Sequence, residues 1–211
     1  MDTFGVPHAI YAAAFLCAMT KAAPELNIVL INYFQPINEG AFTVNPFSVT
    51  QTPVGQVFQL YAEHQQGHRV QLIGSDPNLD VLATVHCSKW GGVISDTDQL
   101  IVSVVHLDAH ASHDRHVVVT LKHWISGPSQ PQFANVTTLR AQGFSQTSLF
   151  DSLQSTQVVS AKGELSLEIP PFSVVHVRVR LAVWCERATD HPSSSSPSSQ
   201  VGFPPSFSYY C

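Results

Sequence analysis

The chain changes hydrophobic period twice, and those changes divide it. Residues 8–23, HAIYAAAFLCAMTKAA, carry apolar side chains on most faces of a helical period, which predicts a nearly buried helix ended by Pro24. Ile28–Phe34 predicts a buried strand whose apolar run gives way to Asn32, Gln35, Asn38 and Glu39. Gln35–Gln51 contains Pro36, Gly40, Asn45 and Pro46 and predicts a long polar loop. Thr52 is placed to cap a second helix and Pro53 to open it. Val57, Leu60 and Tyr61 share one side of that helix, and Gln65-Gln66-Gly67 closes it.

From Arg69 onward the period becomes two. The predicted strands are Arg69–Ile73, Leu79–His86, Leu100–Leu107, His116–His123, Asn135–Ala141, Gln157–Ala161, Glu164–Ile169 and Ser173–Leu181. Turn formers separate them at Gly74–Asn78, Gly91-Gly92, Ser126–Pro131 and Pro170-Pro171. Alternation is plainest where Val175, Val177, Val179 and Leu181 interleave with His176, Arg178 and Arg180. Eight short strands without helices between them predict an antiparallel sandwich or jelly roll. Asp190–Tyr210, DHPSSSSPSSQVGFPPSFSYY, is rich in Ser and Pro and predicts a disordered tail. The expected domains are therefore 1–66, 67–182 and a tail over 183–211.

Composition narrows the function classes. Of 211 residues, 44% are apolar and 12% charged, which supports a packed core. The net charge is −5 with ten Lys and Arg in no basic stripe, which argues against nucleic acid as a partner. No apolar run approaches the ~20 residues of a membrane helix, and MDTFGVPH does not read as a secretory leader, so a soluble protein with no membrane partner is expected. Its compartment is left open. Cys17, Cys87, Cys185 and Cys211 are scattered without metal-ligand spacing and read as isolated thiols. Asn135-Val136-Thr137 is a formal glycosylation sequon.

Chemistry concentrates in three places. An apolar strand ending in clustered amides and a carboxylate is how (β/α) barrels build ligand-facing mouths, so Gln35, Asn32 and Glu39 are the candidate binding residues. An amide can donate and accept a hydrogen bond without titrating. His106, Asp108, His110, His113, Asp114 and His116 form a dense imidazole–carboxylate cluster. It joins two predicted strands, so an exposed hairpin loop is expected there rather than a metal centre, and no metal or other cofactor is assigned. Trp90, Trp124 and Trp184 could stack on sugars but read more simply as sandwich packing.

Two ordered motifs carry a family resemblance. Ile31-Asn32-Tyr33-Phe34-Gln35-Pro36-Ile37-Asn38 resembles the last barrel strand of α-L-arabinofuranosidases of glycoside hydrolase family 51. Thr52–Gln65, TPVGQVFQLYAEHQ, is similar to the helix that follows it, of the form TPxxxVFxxYxxHQ. The resemblance covers the first third of the chain. It implies that residues 1–66 are the last helix–strand–helix of a (β/α)8 barrel, with Gln35 at the substrate pocket and Asn32 structural.

The same resemblance implies a retaining hydrolase whose two catalytic glutamates lie on the fourth and seventh barrel strands. The acid/base follows Gly-Asn in a GNE motif, which does not occur in this sequence. No catalytic residue is therefore assigned, and self-sufficient catalysis through Glu39, Glu25 or Glu63 is not expected. The expected whole is mainly β: a C-terminal sandwich behind a barrel remnant, acting with an arabinose-containing polysaccharide or oligosaccharide. The alternative is a non-catalytic sandwich module that binds glycan or protein. A truncated frame would leave residues 8–23 with apolar surface uncovered.

Overall fold

The computed structural model describes residues 5–28, 31, 37, 40–64, 67–74, 76–86, 99–121, 132–180 and 207–210. Two helices, α1 (Val6–Leu26) and α2 (Pro53–His64), accompany twelve strands. A hairpin of β1 (Phe42–Asn45) and β2 (Ser48–Gln51) stands apart. The other strands are β3 (His68–Val70), β4 (Leu72–Ile73), β5 (Leu79–His86), β6 (Gln99–His106), β7 (Arg115–Thr120), β8 (Gln132–Arg140), β9 (Asp151–Val159), β10 (Glu164–Ile169), β11 (Ser173–Arg180) and β12 (Phe207–Tyr210). They form a six-stranded sheet, β3-β5-β6-β11-β8-β9, and a four-stranded sheet, β10-β7-β12-β4. The molecule is mainly β, as the sequence period predicts.

Burial along each strand reports what covers it. In β10 every second residue is buried, so Leu165, Leu167 and Ile169 enter the core while Glu164, Ser166 and Glu168 meet solvent. In β6 seven consecutive residues are buried, from Leu100 to His106. The central strands β5, β6 and β11 are covered on both faces, which is why they read as near-continuous apolar runs. One face meets the four-stranded sheet through Val81, Val102, Val104, Val117, Val119 and Val177 and their neighbours. The other meets the helices through Leu82, Val105, Leu139 and Val174. Each fully buried aliphatic side chain stabilises the fold by about 1.5–3 kcal/mol relative to exposure.

The helices are a third layer on the sandwich. Val6, Ala9, Ile10, Ala13, Leu16 and Cys17 of α1 pack with Val54, Val57, Leu60 and Tyr61 of α2 onto the six-stranded sheet. Lys21 pairs with Asp80 of β5, and the Arg69 guanidinium donates to the Lys21 carbonyl, which fixes the far end of α1. α1 is 21 residues long and apolar enough, by length and composition, to cross a membrane, contrary to the expectation that no run approaches that length. One face of it packs into the helix-side core. Tyr11, at 72% exposure, and Phe15 form the uncovered stripe on its other side.

Several boundaries differ from the sequence expectation. Pro24 does not end α1; it occupies the last turn, and Asn27, in the left-handed conformation, closes the helix at Leu26. Only the backbone donor opposite Thr20 is lost, which a final turn tolerates better than a helix interior does. The stretch expected as one strand from Arg69 to Ile73 divides at Gln71 and serves both sheets. β9 begins at Asp151 rather than Gln157, and the expected polar loop 35–51 contains the β1–β2 hairpin. Phe207–Tyr210, expected within the disordered tail, is β12, paired antiparallel to β7 and parallel to β4. The three aromatics of that short segment favour a strand despite their Ser/Pro-rich surroundings.

Candidate functional site

The residues singled out for ligand contact, Gln35, Asn32 and Glu39, lie outside the described residues, as do Asn38, the three tryptophans, Cys87, Cys185 and Cys211. What surrounds them is described. Ile31 is partly buried against the helix-side core, and Ile37 makes a parallel bridge with Phe42. Gly40 and Ala41 are buried, and from there the chain leaves into the hairpin and returns at Thr52.

Thr52 ties the two ends together. Its amide donates to the Ala41 carbonyl at 3.0 Å, and its hydroxyl donates to the carbonyls of Gly40 and Ala41. The same Oγ1 accepts the Gly55 N–H at 3.2 Å, which makes Thr52 the N-cap of α2 with Pro53 opening the helix, as expected from sequence. A Cβ at Gly55 would collide with the Ala41 carbonyl oxygen, so only glycine permits this approach. The helix start is thereby clamped to the segment that follows Glu39.

The hairpin beyond this clamp is turned by an Asx motif. Asn45 Oδ1 accepts from the amides of Phe47 and Ser48, both at 3.0 Å. Val44 and Val49 are directly opposed, and Phe47 at the tip is 97% exposed.

A second polar group lies between the helices and the sheet. The Tyr61 hydroxyl meets Cys17 Sγ at 3.0 Å and the Ala13 carbonyl at 3.3 Å, and its ring contacts His176 edge-on at 4.6 Å. Ser103 and His176, fully buried, are register partners in β6 and β11. Burial pushes the Cys17 thiol up to about 12, only partly offset by the Tyr61 hydrogen bond. Burial, followed by the neighbouring Cys17, also raises Tyr61 well above its ordinary value. Both stay neutral near pH 7, so the group specifies packing and supplies no nucleophile.

The histidine-rich segment departs from the expected hairpin. β6 and β7 belong to different sheets, so residues 107–114 cross from one sheet to the other. His106 therefore ends β6 at 1% exposure, while His116 is the second residue of β7 and meets Ser166 Oγ at 2.6 Å. Asp108 caps its own turn by accepting the His110 N–H at 2.8 Å. Among the described residues no three His, Cys, Asp or Glu side chains converge as metal ligands would. Of the other acids considered, Glu25 and Glu63 are exposed in the last turns of α1 and α2.

Sequence reasoning missed a cavity of about 800 Å³ that shares no lining residue with segment 31–64. Arg140, Gln142, Asp151 and Phe172 are among its walls. They come from different segments, and the one local signal was a bulky residue, Phe172, directly after two prolines.

No protein-family model matches the sequence, and no curated protein matches it. Solved structures do match its fold. The α-L-arabinofuranosidase from Thermotoga maritima, in an arabinose complex, aligns with 85% of this chain at a TM-score of 0.65 and 19% identity. The thermostable GH51 α-L-arabinofuranosidase from Thermotoga petrophila aligns with 84% at 0.64 and 18% identity. The GH51 arabinofuranosidase from Xanthomonas axonopodis pv. citri aligns with 83% at 0.56 and 16% identity. The chain spans 39% of each Thermotoga chain and 36% of the third. At these identities the likeness concerns fold: this chain has the fold of the C-terminal part of GH51 α-L-arabinofuranosidases, a mainly-β domain with its helices attached.

Proposed function

We propose that the chain is the C-terminal part of a retaining glycoside hydrolase that releases terminal arabinofuranosyl residues from arabinan- or arabinoxylan-type glycans. The observation that carries this reading is the joint fit of fold and motif. Some 85% of the chain aligns with arabinofuranosidase structures, one of them an arabinose complex. The Thr52–Gly55 clamp lies within the second of the two motifs that resemble the family.

In such an enzyme two carboxyl groups about 5–5.5 Å apart divide the work. One attacks the anomeric carbon; the other protonates the leaving oxygen and then activates water. In this reading both carboxylates belong to barrel strands outside this chain, and the chain supplies the pocket edge. Gln35 hydrogen-bonds a sugar hydroxyl, Asn32 holds the strand end, and Glu39 lines the rim.

The test is hydrolysis of a chromogenic α-L-arabinofuranoside by the purified chain beside its Glu39→Gln variant. Neither should turn the substrate over. Turnover lost on Glu39→Gln would make Glu39 catalytic and overturn the division of labour. Turnover unchanged by the substitution would locate a working carboxylate elsewhere in the chain, with the same consequence.

A further inference from the structure

The cavity at the β8–β9 end of the sandwich is built from three separate connections. The inter-sheet crossing contributes Ser112, the ends of β8 and β9 contribute Arg140, Gln142, Asp151 and Leu153, and the β10–β11 turn contributes Phe172. Its volume, about 800 Å³, lies within the ~300–1,000 Å³ typical of small-molecule sites. Arg140 and Asp151 are direct register partners, both exposed, so opposite charges stand side by side on one wall. Gln142 adds an amide that donates and accepts. Leu153, 55% exposed on the edge strand, supplies an aliphatic patch.

Phe172 is held there at a conformational cost. Its φ is 52°, a left-handed value that a bulky side chain rarely adopts and that glycine or asparagine adopts readily. The backbone around it is pinned: its carbonyl accepts the Ala141 N–H at 3.2 Å, and Ser173 Oγ donates to the Pro170 carbonyl at 2.6 Å. Its ring lies 5.8 Å from that of Phe144. A ring thus occupies a turn position where steric preference calls for none; Phe172 is among the residues that line the cavity, and it also packs against the helix-side core.

These walls select a ligand class. An anion would meet Asp151, and a cation would meet Arg140. A purely apolar ligand would leave both charges without hydrogen-bond partners. A neutral saccharide has hydroxyl edges for a guanidinium, a carboxylate and an amide, and an apolar C–H face for a ring and a leucine. We propose that this cavity is an accessory site that holds a neutral oligosaccharide segment. It acts apart from the hydrolytic pocket and does not depend on catalysis by this chain.

The experiment is a calorimetric titration of the whole chain with a linear arabino-oligosaccharide and a linear xylo-oligosaccharide. A galacturonate oligomer of equal length is the charged comparator. At least one neutral probe should bind saturably and more tightly than the galacturonate. Asp151→Asn, which keeps the side-chain shape, should weaken that binding about tenfold. Phe172→Gly should do the same; it relieves the positive φ but removes a ring packed against the helix-side core, so a thermal melt of each variant checks that the fold is retained. Phe47→Ser, at the distant hairpin tip, should bind as the parent does. Absence of saturable binding, equal affinity in all four proteins, or preference for the galacturonate would overturn the site. The hydrolysis assay reads Glu39 and this titration reads Asp151 and Phe172, so the two proposals fail separately.

Discussion

The two faces of the six-stranded sheet are buried by different chemistry. Toward the four-stranded sheet the core is aliphatic from Val70 and Leu79 to Val179, with His106 buried at its edge. Toward the helices it mixes aliphatics with Cys17 and Tyr61, which meet the buried pair Ser103 and His176. Hydrophobic burial carries no direction of its own, so an aliphatic core fixes position through close packing alone. A hydroxyl placed between a thiol and a carbonyl adds direction, because each buried polar group left without its partner costs about 1–3 kcal/mol. The sandwich therefore stabilises the fold chiefly through burial, and the helix layer fixes which helix position meets which strand.

Cavity formation should separate the two faces first. Leu167→Ala, deep between the sheets at 1% exposure, should lower stability by about 2–5 kcal/mol in denaturant unfolding. Unchanged stability would mean that the sheets close over the space. On the helix side, Tyr61→Phe removes only an oxygen, yet it leaves Cys17 Sγ and the Ala13 carbonyl without that partner. The expected loss is about 1–2 kcal/mol. A neutral or stabilising result would show that the polar group contributes nothing to holding α1 on α2. Thr52→Ala should cost about 1 kcal/mol, the usual worth of an N-cap, and should show earliest as faster amide exchange in the first turn of α2.

The same contrast explains what could be read from sequence. β5 and β10 match their predicted bounds, because a strand whose burial alternates or is continuous announces itself through period. β9 does not: Asp151–Thr156 is exposed on both faces at a sheet edge, so no period marks it. β1 and β2 were hidden by Asn45 and Pro46, which are true turn residues of a hairpin too short to show alternation. At the predicted pocket edge, residue type pointed to a site edge and the family resemblance to sugar contact, but neither says which partners complete a pocket. Arg140, Asp151 and Phe172 were invisible because register and a turn, not local sequence, bring them to one cavity.

The smallest expected effect needs no ligand and tests the boundary between the aliphatic core and the inter-sheet crossing. His106 is buried at the end of β6, and neither ring nitrogen has a hydrogen-bond partner among the described residues. Desolvation lowers its pKa, opposed by Asp108, reinforced by Arg115, and opposed again by Asp76 and Asp114. The unfolded chain takes up this proton at its ordinary pKa of about 6.5, whereas the folded chain resists it until a lower pH. Between those two values the unfolded state binds more protons, so stability should fall as pH drops below about 6.5 and level off beneath the folded value. Above about 6.5 this residue contributes no slope. Unfolding midpoints measured from neutral to mildly acid pH should show a shallower decline in His106→Leu than in the parent. Identical slopes would mean that the imidazole protonates in place, held by the carboxylates of the crossing rather than excluded by the core beside it.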